Sequence, residues 1–542
     1  MRKTSLALVF AFVTSALGAN LAPPPDARAK IDKIFERFNH SNSPGCVAGA
    51  TIDGGTVLSS AYGMADLEHG IALAPESILE PGSIAKQFTA AAVLLLVQQG
   101  KLSLDDPVRK YIPEVPDYGT PITIRHLINH TSGLRDWGSV EGIGGWPRTT
   151  REYTHAHVLE IVSRQHALNY PPGAEYSYTN TGFNLAAILV SRVSGKPFPE
   201  FTREQIFAPL GMTSTQWRDD FRRIVRNRAV AYSPSDNTFR QDMPFEDVFG
   251  NGGLLTTVGD LLRWNRNFTD AKVGGLAFVD SEHQQGRLTD GRTIAYAAGL
   301  MVLHWRGLNE VSHSGSTAGY QAWLGRYPEQ GLSVAVLCNV SSANATQLGH
   351  QVADVYLAGI THRGDEVDIR LTDTSLLVPK AGLYRSVRDH QTLSLEVHEG
   401  TLRIDHRGDL TPVSDYVFRL GEDGPRAEFD ATGKGLRMST QVDERNYYEK
   451  VERWNPTPLD LEAMAGEYAS DEAEVTLQVA LEKDHLVMHR RPDATIALTP
   501  TYRDGFSSSL GSIRFLRDSA GSITELSVGE QRVWDMRFRR VR

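Results

Sequence analysis

The chain has 542 residues, more than one ordinary domain needs. Hydrophobic residues make up 41% and charged residues 22%, the balance of an ordinary globular protein. The formal net charge of −9 leaves no basic excess to neutralise phosphates, which argues against a nucleic-acid partner.

The first segment reads as a secretory signal over residues 1–19. Arg2 and Lys3 precede an apolar run, residues 6–17, and the small residues Gly18 and Ala19 follow. That run is shorter than the roughly 17–25 residues of a spanning helix. The expectation is a cleaved leader, a secreted or periplasmic mature chain and no stable membrane span. Periodicity predicts a helix over 27–38 and a hairpin of strands 46–53 and 56–63 around Gly54-Gly55. A strongly apolar helix, predicted for 83–99 and stopped by Gly100, should lie buried at the centre. Further helices are predicted at 122–130, 182–194 and 258–268, and strands at 310–314, 320–327 and 332–338. Strands from both ends of this region imply one sheet packed against a helical lobe. Cys46 and Cys338 are too few for a disulfide framework and read first as buried small apolar residues. One cross-strand bridge stays open in an oxidising compartment. Neither the Cys/His spacing of a metal site nor a phosphate-binding glycine loop occurs, so no metal or organic cofactor is expected.

From about residue 372 short alternating strands replace helices, and the sequence repeats. Ala381-Gly382-Leu383-Tyr384-Arg385-Ser386 returns as Ala465-Gly466-Glu467-Tyr468-Ala469-Ser470, and Leu410-Thr411-Pro412 as Leu498-Thr499-Pro500. Phe429 and Phe515 hold corresponding places. Two copies of one antiparallel barrel unit account for this. The expected organisation is a catalytic domain at 20–371 and barrels at 372–456 and 457–542, joined through Asn455-Pro456-Thr457-Pro458.

Three motifs carry the chemistry: Ser83-Ile84-Ala85-Lys86, Tyr178-Thr179-Asn180 and His313-Ser314-Gly315. Ser83 follows Pro81-Gly82 at a helix start, where free N–H groups favour negative charge. Lys86, three residues on, can take its proton if burial keeps the amine neutral. Tyr178 can pass that proton to a leaving group, most usefully if two cations hold it partly ionised. Asn180 can orient Lys86 and donate to a substrate carbonyl. His313 can direct a titratable donor into the cleft if Gly315 keeps the strand surface open, and Ser316 can supply a second oxyanion N–H beside that of Ser83. Each motif alone reads as readily as a cap, a packed aromatic or a structural histidine; their combination in this order does not.

The ensemble resembles the serine β-lactamase and penicillin-binding-protein superfamily, in its class C-like branch. Pro81-Gly82-Ser83-Ile84-Ala85-Lys86-Gln87-Phe88-Thr89, the stretch from His126 to Leu134, Pro172-Gly173 ahead of Tyr178, and Gly252-Gly253-Leu254 support it. The resemblance implies an α+β catalytic domain, a mainly antiparallel sheet flanked by helices, working through an acyl-enzyme. With two barrels behind it, the chain is similar to the bacterial D-aminopeptidase family, which also has histidine at the head of the third motif. A mostly neutral His313 is a poor substitute for a lysine in binding substrate carboxylates. In that family a loop of the last barrel brings an acidic residue to the substrate amine, which makes Asp504 the candidate here and Asp493 a second. The leading reading is a serine hydrolase releasing N-terminal D-residues from short peptides, amides or esters. The alternatives are a short-acyl carboxylesterase, a penicillin-binding DD-carboxypeptidase or weak β-lactamase, and a slowly acylated sensor. A homodimer stays open.

Overall fold

The computed structural model describes residues 21–148, 151–361, 374–421 and 424–541. The expected signal segment and the 371/372 domain boundary lie outside the described residues.

The central element is a six-stranded antiparallel sheet built from both ends of the catalytic region. Its strands are β1 (Cys46–Ile52), β2 (Gly55–Tyr62), β3 (Met301–Trp305), β4 (Leu308–Thr317), β5 (Tyr320–Tyr327) and β6 (Leu332–Cys338), in the order β2-β1-β6-β5-β4-β3. β1 and β6 are apolar along most of their length because they lie inside the sheet with layers on both faces. Asp53 and Gly54 turn the β1–β2 hairpin with φ of 49° and 80°, the double left-handed geometry of a tight hairpin. Cys46 stands opposite Cys338 in the β1–β6 register, and the two are joined in a disulfide. The sequence reading preferred two unbonded residues. It lacked the strand register, which brings positions 292 apart in sequence side by side.

Two helices form the heart of the helical lobe. α1 (Ala85–Gln98) is buried from Ala85 through Leu96, as an Ala- and Leu-rich segment without a polar face must be. It packs on α2 (Asn180–Ser194), which Thr179 caps by accepting from Thr181 N–H and Gly195 ends in the left-handed region. The expected helix over 83–99 starts differently. Gly82–Ile84 forms a single 3-10 turn and the α-helix begins at Ala85. Gly82 has φ of 53°, so the chain bends sharply just before Ser83.

Behind this domain stand two closed eight-stranded barrels, Gly382–Ser386 to Arg445–Val451 and Gly466–Ser470 to Val533–Arg540. The repeat has a physical basis. In each barrel the first-strand tyrosine is fully buried and its hydroxyl donates to the carbonyl four residues back, Tyr384 to Lys380 and Tyr468 to Met464. The Leu-Thr-Pro copies lie in the fourth strands, Gly408–Pro412 and Ala494–Pro500, and Phe429 and Phe515 in the sixth. Pro458–Met464 is a short helix capped by Thr457.

The two barrels meet the catalytic domain differently. The first has a separate apolar core, whereas the core of the second is continuous with that of the catalytic domain. A buried ion pair, Arg135 to Glu472 at 2.8 Å, ties the second barrel down. Arg135 also donates to the Asp535 carbonyl, and Asn169 brackets the last hairpin, donating to Arg532 O and accepting from Trp534 N–H. Breaking one side of a buried pair typically costs about 3–5 kcal/mol, because the other charge is left unpaired. Glu472→Gln is expected to destabilise the protein by about that amount, read as a lower urea midpoint.

Candidate active site

Lys86 points out of the first turn of α1 and is fully buried. Its Nζ lies 2.9 Å from Asn180 Oδ1, 2.8 Å from the Asn251 carbonyl and 3.1 Å from Ser83 Oγ. The first two partners are carbonyl oxygens, which can only accept. A neutral amine satisfies both with its two N–H groups and turns its lone pair to the Ser83 hydroxyl. The geometry thus fits a base ready to take the serine proton. Burial first, and the nearby Arg532 second, hold the Lys86 pKa well below its ordinary value.

The partners of Lys86 are themselves fixed. Asn251 Oδ1 accepts from Asn184, whose Oδ1 accepts from the Trp137 indole. Glu80 is buried and forms a two-pronged pair with Arg218 at 3.0 and 3.1 Å. The same carboxylate accepts from Gly253 N–H and so links the Pro81 turn to the Gly252–Gly253 segment. Asn180 N–H donates to buried Asp136 at 2.6 Å. With Asn180 Oδ1 occupied by Lys86, its amide nitrogen remains for the cleft it lines.

β4 closes on the serine turn. β3 pairs only with Leu308–Ser312, so residues 313–317 run past it toward Gly82–Ile84. A Cβ on Gly315 would stand 1.9 Å from Pro81 O and 2.8 Å from Ser83 N, and one on Gly82 would stand 2.6 Å from Ser316 N. The two glycines are therefore what bring the Ser83 and Ser316 backbones together.

Tyr178 and His313 differ from expectation. Two basic groups flank Tyr178, the charged Arg532 guanidinium at 5.2 Å and Lys86 Nζ, held toward the neutral amine, at 4.8 Å from the ring centre. Yet burial outweighs them and pushes the phenol pKa up, so Tyr178 is a protonated phenol at neutral pH. The Ser83 hydroxyl is the neighbour that pulls hardest the other way, although the Tyr178 oxygen has no partner at full hydrogen-bond geometry. His313 does not offer a titratable donor. It is buried, its pKa is pushed down to about 3, and the neutral ring is used on both sides. Nδ1–H donates to Ser314 O, and Nε2 accepts from the Tyr296 hydroxyl at 3.1 Å.

Ser83, Tyr178, Asn180, His313, Gly315 and Ser316 line one cleft of about 640 Å³, large enough for a dipeptide-sized molecule. Asp504 does not reach it. Asp504 sits in the turn before strand Gly505–Ser508 with φ of 62° and pairs with Arg517 at 2.8 Å. Asp493 is exposed in another turn of the same barrel, also away from the cleft. The barrel segment that does line the cleft is Gln531-Arg532. Sequence reasoning looked there for an acid and so passed over it. Arg148, which lines the cleft with its fork on Glu246, carried no signal beyond its place in a Gly-rich loop.

A serine at a sharp turn, with a buried lysine aimed at it and a tyrosine beside both, is the arrangement of a serine hydrolase. Residues 31–357 match the pattern of the Beta-lactamase family, and the chain belongs to that family. It is 24% identical over 513 residues to a D-aminopeptidase from Brucella anthropi, spanning 90% of this chain and 94% of that one. It is 29% identical over 280 residues to the D-alanyl-D-alanine-carboxypeptidase/endopeptidase AmpH of Escherichia coli, covering 49% of this chain and 68% of the relative. The fold is similar to that of the octameric penicillin-binding protein homologue from Pyrococcus abyssi, with a TM-score of 0.55 at 22% identity over 78% of this chain and 99% of that one.

Two predictions follow from this geometry. Lys86 must be neutral to act, so kcat/KM rises with pH through its lowered pKa. Removing the neighbouring positive charge in Arg532→Gln raises that pKa and shifts the acid limb of the kcat/KM profile to higher pH. Gly315→Ala drives a methyl group into the Pro81 carbonyl and should cost about 1–3 kcal/mol of stability, read from the melting temperature, with kcat falling alongside.

Proposed function

We propose that the protein cleaves short peptides, amides or esters carrying a D-residue at the scissile acyl group, through an acyl-enzyme on Ser83. The observation that carries the chemistry is the Lys86 amine, whose two N–H groups are used by carbonyls and whose lone pair faces Ser83 Oγ. The names of the relatives, a D-aminopeptidase across nearly the whole chain and a D-alanyl-D-alanine-carboxypeptidase/endopeptidase across the catalytic part, support the D-residue.

The substrate carbonyl oxygen sits between the Ser83 and Ser316 N–H groups. Ser83 Oγ bonds to the carbonyl carbon while its proton moves to Lys86 Nζ. The bond to the leaving amine or alcohol breaks as Tyr178 gives that group its proton, and Tyr178 regains one from Lys86. Water then attacks the ester, its proton travels back along the same groups to Ser83 Oγ, and the acid departs. Asn180 Nδ2 holds the substrate backbone. His313 acts as a neutral wall.

The N-terminal sequence and the Cys46–Cys338 disulfide support export to an oxidising compartment, in a secreted or periplasmic protein. The test of the chemistry is an intact-mass measurement during turnover of D-alanine p-nitroanilide, acetyl-D-alanyl-D-alanine and p-nitrophenyl butyrate. A transient adduct on Ser83 is expected. Ser83→Ala should lose both the adduct and at least about a thousandfold in rate. Unchanged turnover in Ser83→Ala would overturn the assignment, and cleavage of the butyrate alone would make it an esterase.

A further inference from the structure

One wall of the cleft belongs to the second barrel. The turn after strand Ile523–Glu530 carries Gln531-Arg532, and the barrel's last strand, Val533–Arg540, leads away from it. The backbone of this turn is clamped, since Arg532 O accepts from both Asn169 Nδ2 and Asp136 N–H. The guanidinium lies over Tyr178, 5.2 Å from the ring centre.

The charge around it is one-sided. Among the described residues that line the cleft there is no aspartate or glutamate, while Arg148 and Arg532 both do so and Lys86 lies just beneath. Arg148 spends its fork on Glu246. Asp136 stands 3.8 Å from Arg532, but it is buried, and its oxygens already accept from Asn180 N–H and Ser139 N–H. Glu444 and Glu530 feel the charge of Arg532 without lining the cleft. The Arg532 side chain keeps about a third of its surface exposed, 35%, so it presents donors to whatever enters. His313, where a permanent cation would otherwise stand, is a neutral ring with both nitrogens used.

We propose that Arg532 is the substrate-carboxylate anchor of this enzyme, so that the preferred substrate presents an anionic group, as at the free C-terminus of a short D-peptide, rather than a free N-terminal amine. The planar fork of an arginine matches a carboxylate with two parallel hydrogen bonds. An ammonium group in the same place would meet arginines and no counter-charge. The acyl-enzyme reading enters only to say which bond lies next to Ser83; the anchor itself is a binding property.

Calorimetry on the full chain bearing Ser83→Ala, which removes turnover, tests it with three probes: acetyl-D-alanyl-D-alanine, its C-terminal amide, and D-alanyl-D-alanine amide with a free amine. The carboxylate probe is expected to bind about tenfold tighter than its amide, as a charge-assisted bond allows. That ratio should fall to about one when Arg532→Gln is added, survive in part with Arg532→Lys, and invert toward the free-amine probe with Arg532→Glu. Equal binding of the first two probes, or a ratio indifferent to Arg532, overturns the proposal. The same carboxylate and amide pair given to the protein with Ser83 intact reads the acyl-enzyme chemistry separately. A carboxylate preference in binding with no Ser83 adduct would sink the hydrolase reading and leave the anchor standing.

Discussion

A fully buried lysine amine is the constraint on which the rest of the catalytic site depends. An ammonium ion at the Lys86 position would carry a large desolvation cost, and a neutral amine needs its few hydrogen bonds met. The surroundings supply two carbonyl acceptors and one hydroxyl. Holding the Asn251 carbonyl there engages the Glu80–Arg218 pair and the Trp137–Asn184–Asn251 chain of hydrogen bonds. Holding Asn180 there engages the Asp136 carboxylate at the start of α2. Much of the buried polarity in the catalytic domain thus serves one side chain.

The same low-polarity setting decides which neighbours of the serine carry charge. Tyr178 has the Arg532 guanidinium against its ring, which favours the phenolate, yet loss of solvent favours the phenol more strongly. His313 loses its proton for the same reason, with Lys86 adding repulsion. The charge facing the cleft is then left to arginines, of which Arg148 stays protonated at neutral pH although burial lowers its pKa to about 10. A site that removes protons from lysine and histidine but keeps arginine charged separates proton transfer from charge recognition.

The fold was legible because its signals were local. The alternating strands of the tail, the two Ala-Gly-x-Tyr copies and the largely apolar helix predicted at 83–99 each announce themselves within a short stretch of sequence. Ser83, Lys86 and Tyr178 were legible as candidates for a related reason, since each lies in a short motif with its own turn or cap, and the structure brings the three together. What failed was pairing at a distance. Nothing near Cys46 speaks of Cys338, because the bond depends on which strands lie side by side and in what register. Nothing near Arg532 says that its hairpin turn, rather than the one holding Asp504, meets the cleft; that follows from how the barrel is rotated on Arg135 and Asn169. His313 was placed correctly on the strand and read as mostly neutral, but that burial and two hydrogen bonds remove it as a titratable donor was not visible in the sequence.

The rotation of the second barrel also sets an order of events in folding. Ser83 comes early in the described chain and Arg532 from its final hairpin, so the cleft is a contact between segments that meet late. Contacts of such separation form slowly, after local helices and hairpins have condensed. During refolding, local helical and sheet structure is therefore expected to return before the cleft has its complete wall. Docking of the last barrel is then the step that brings the proposed anchor, Arg532, to the cleft beside Ser83.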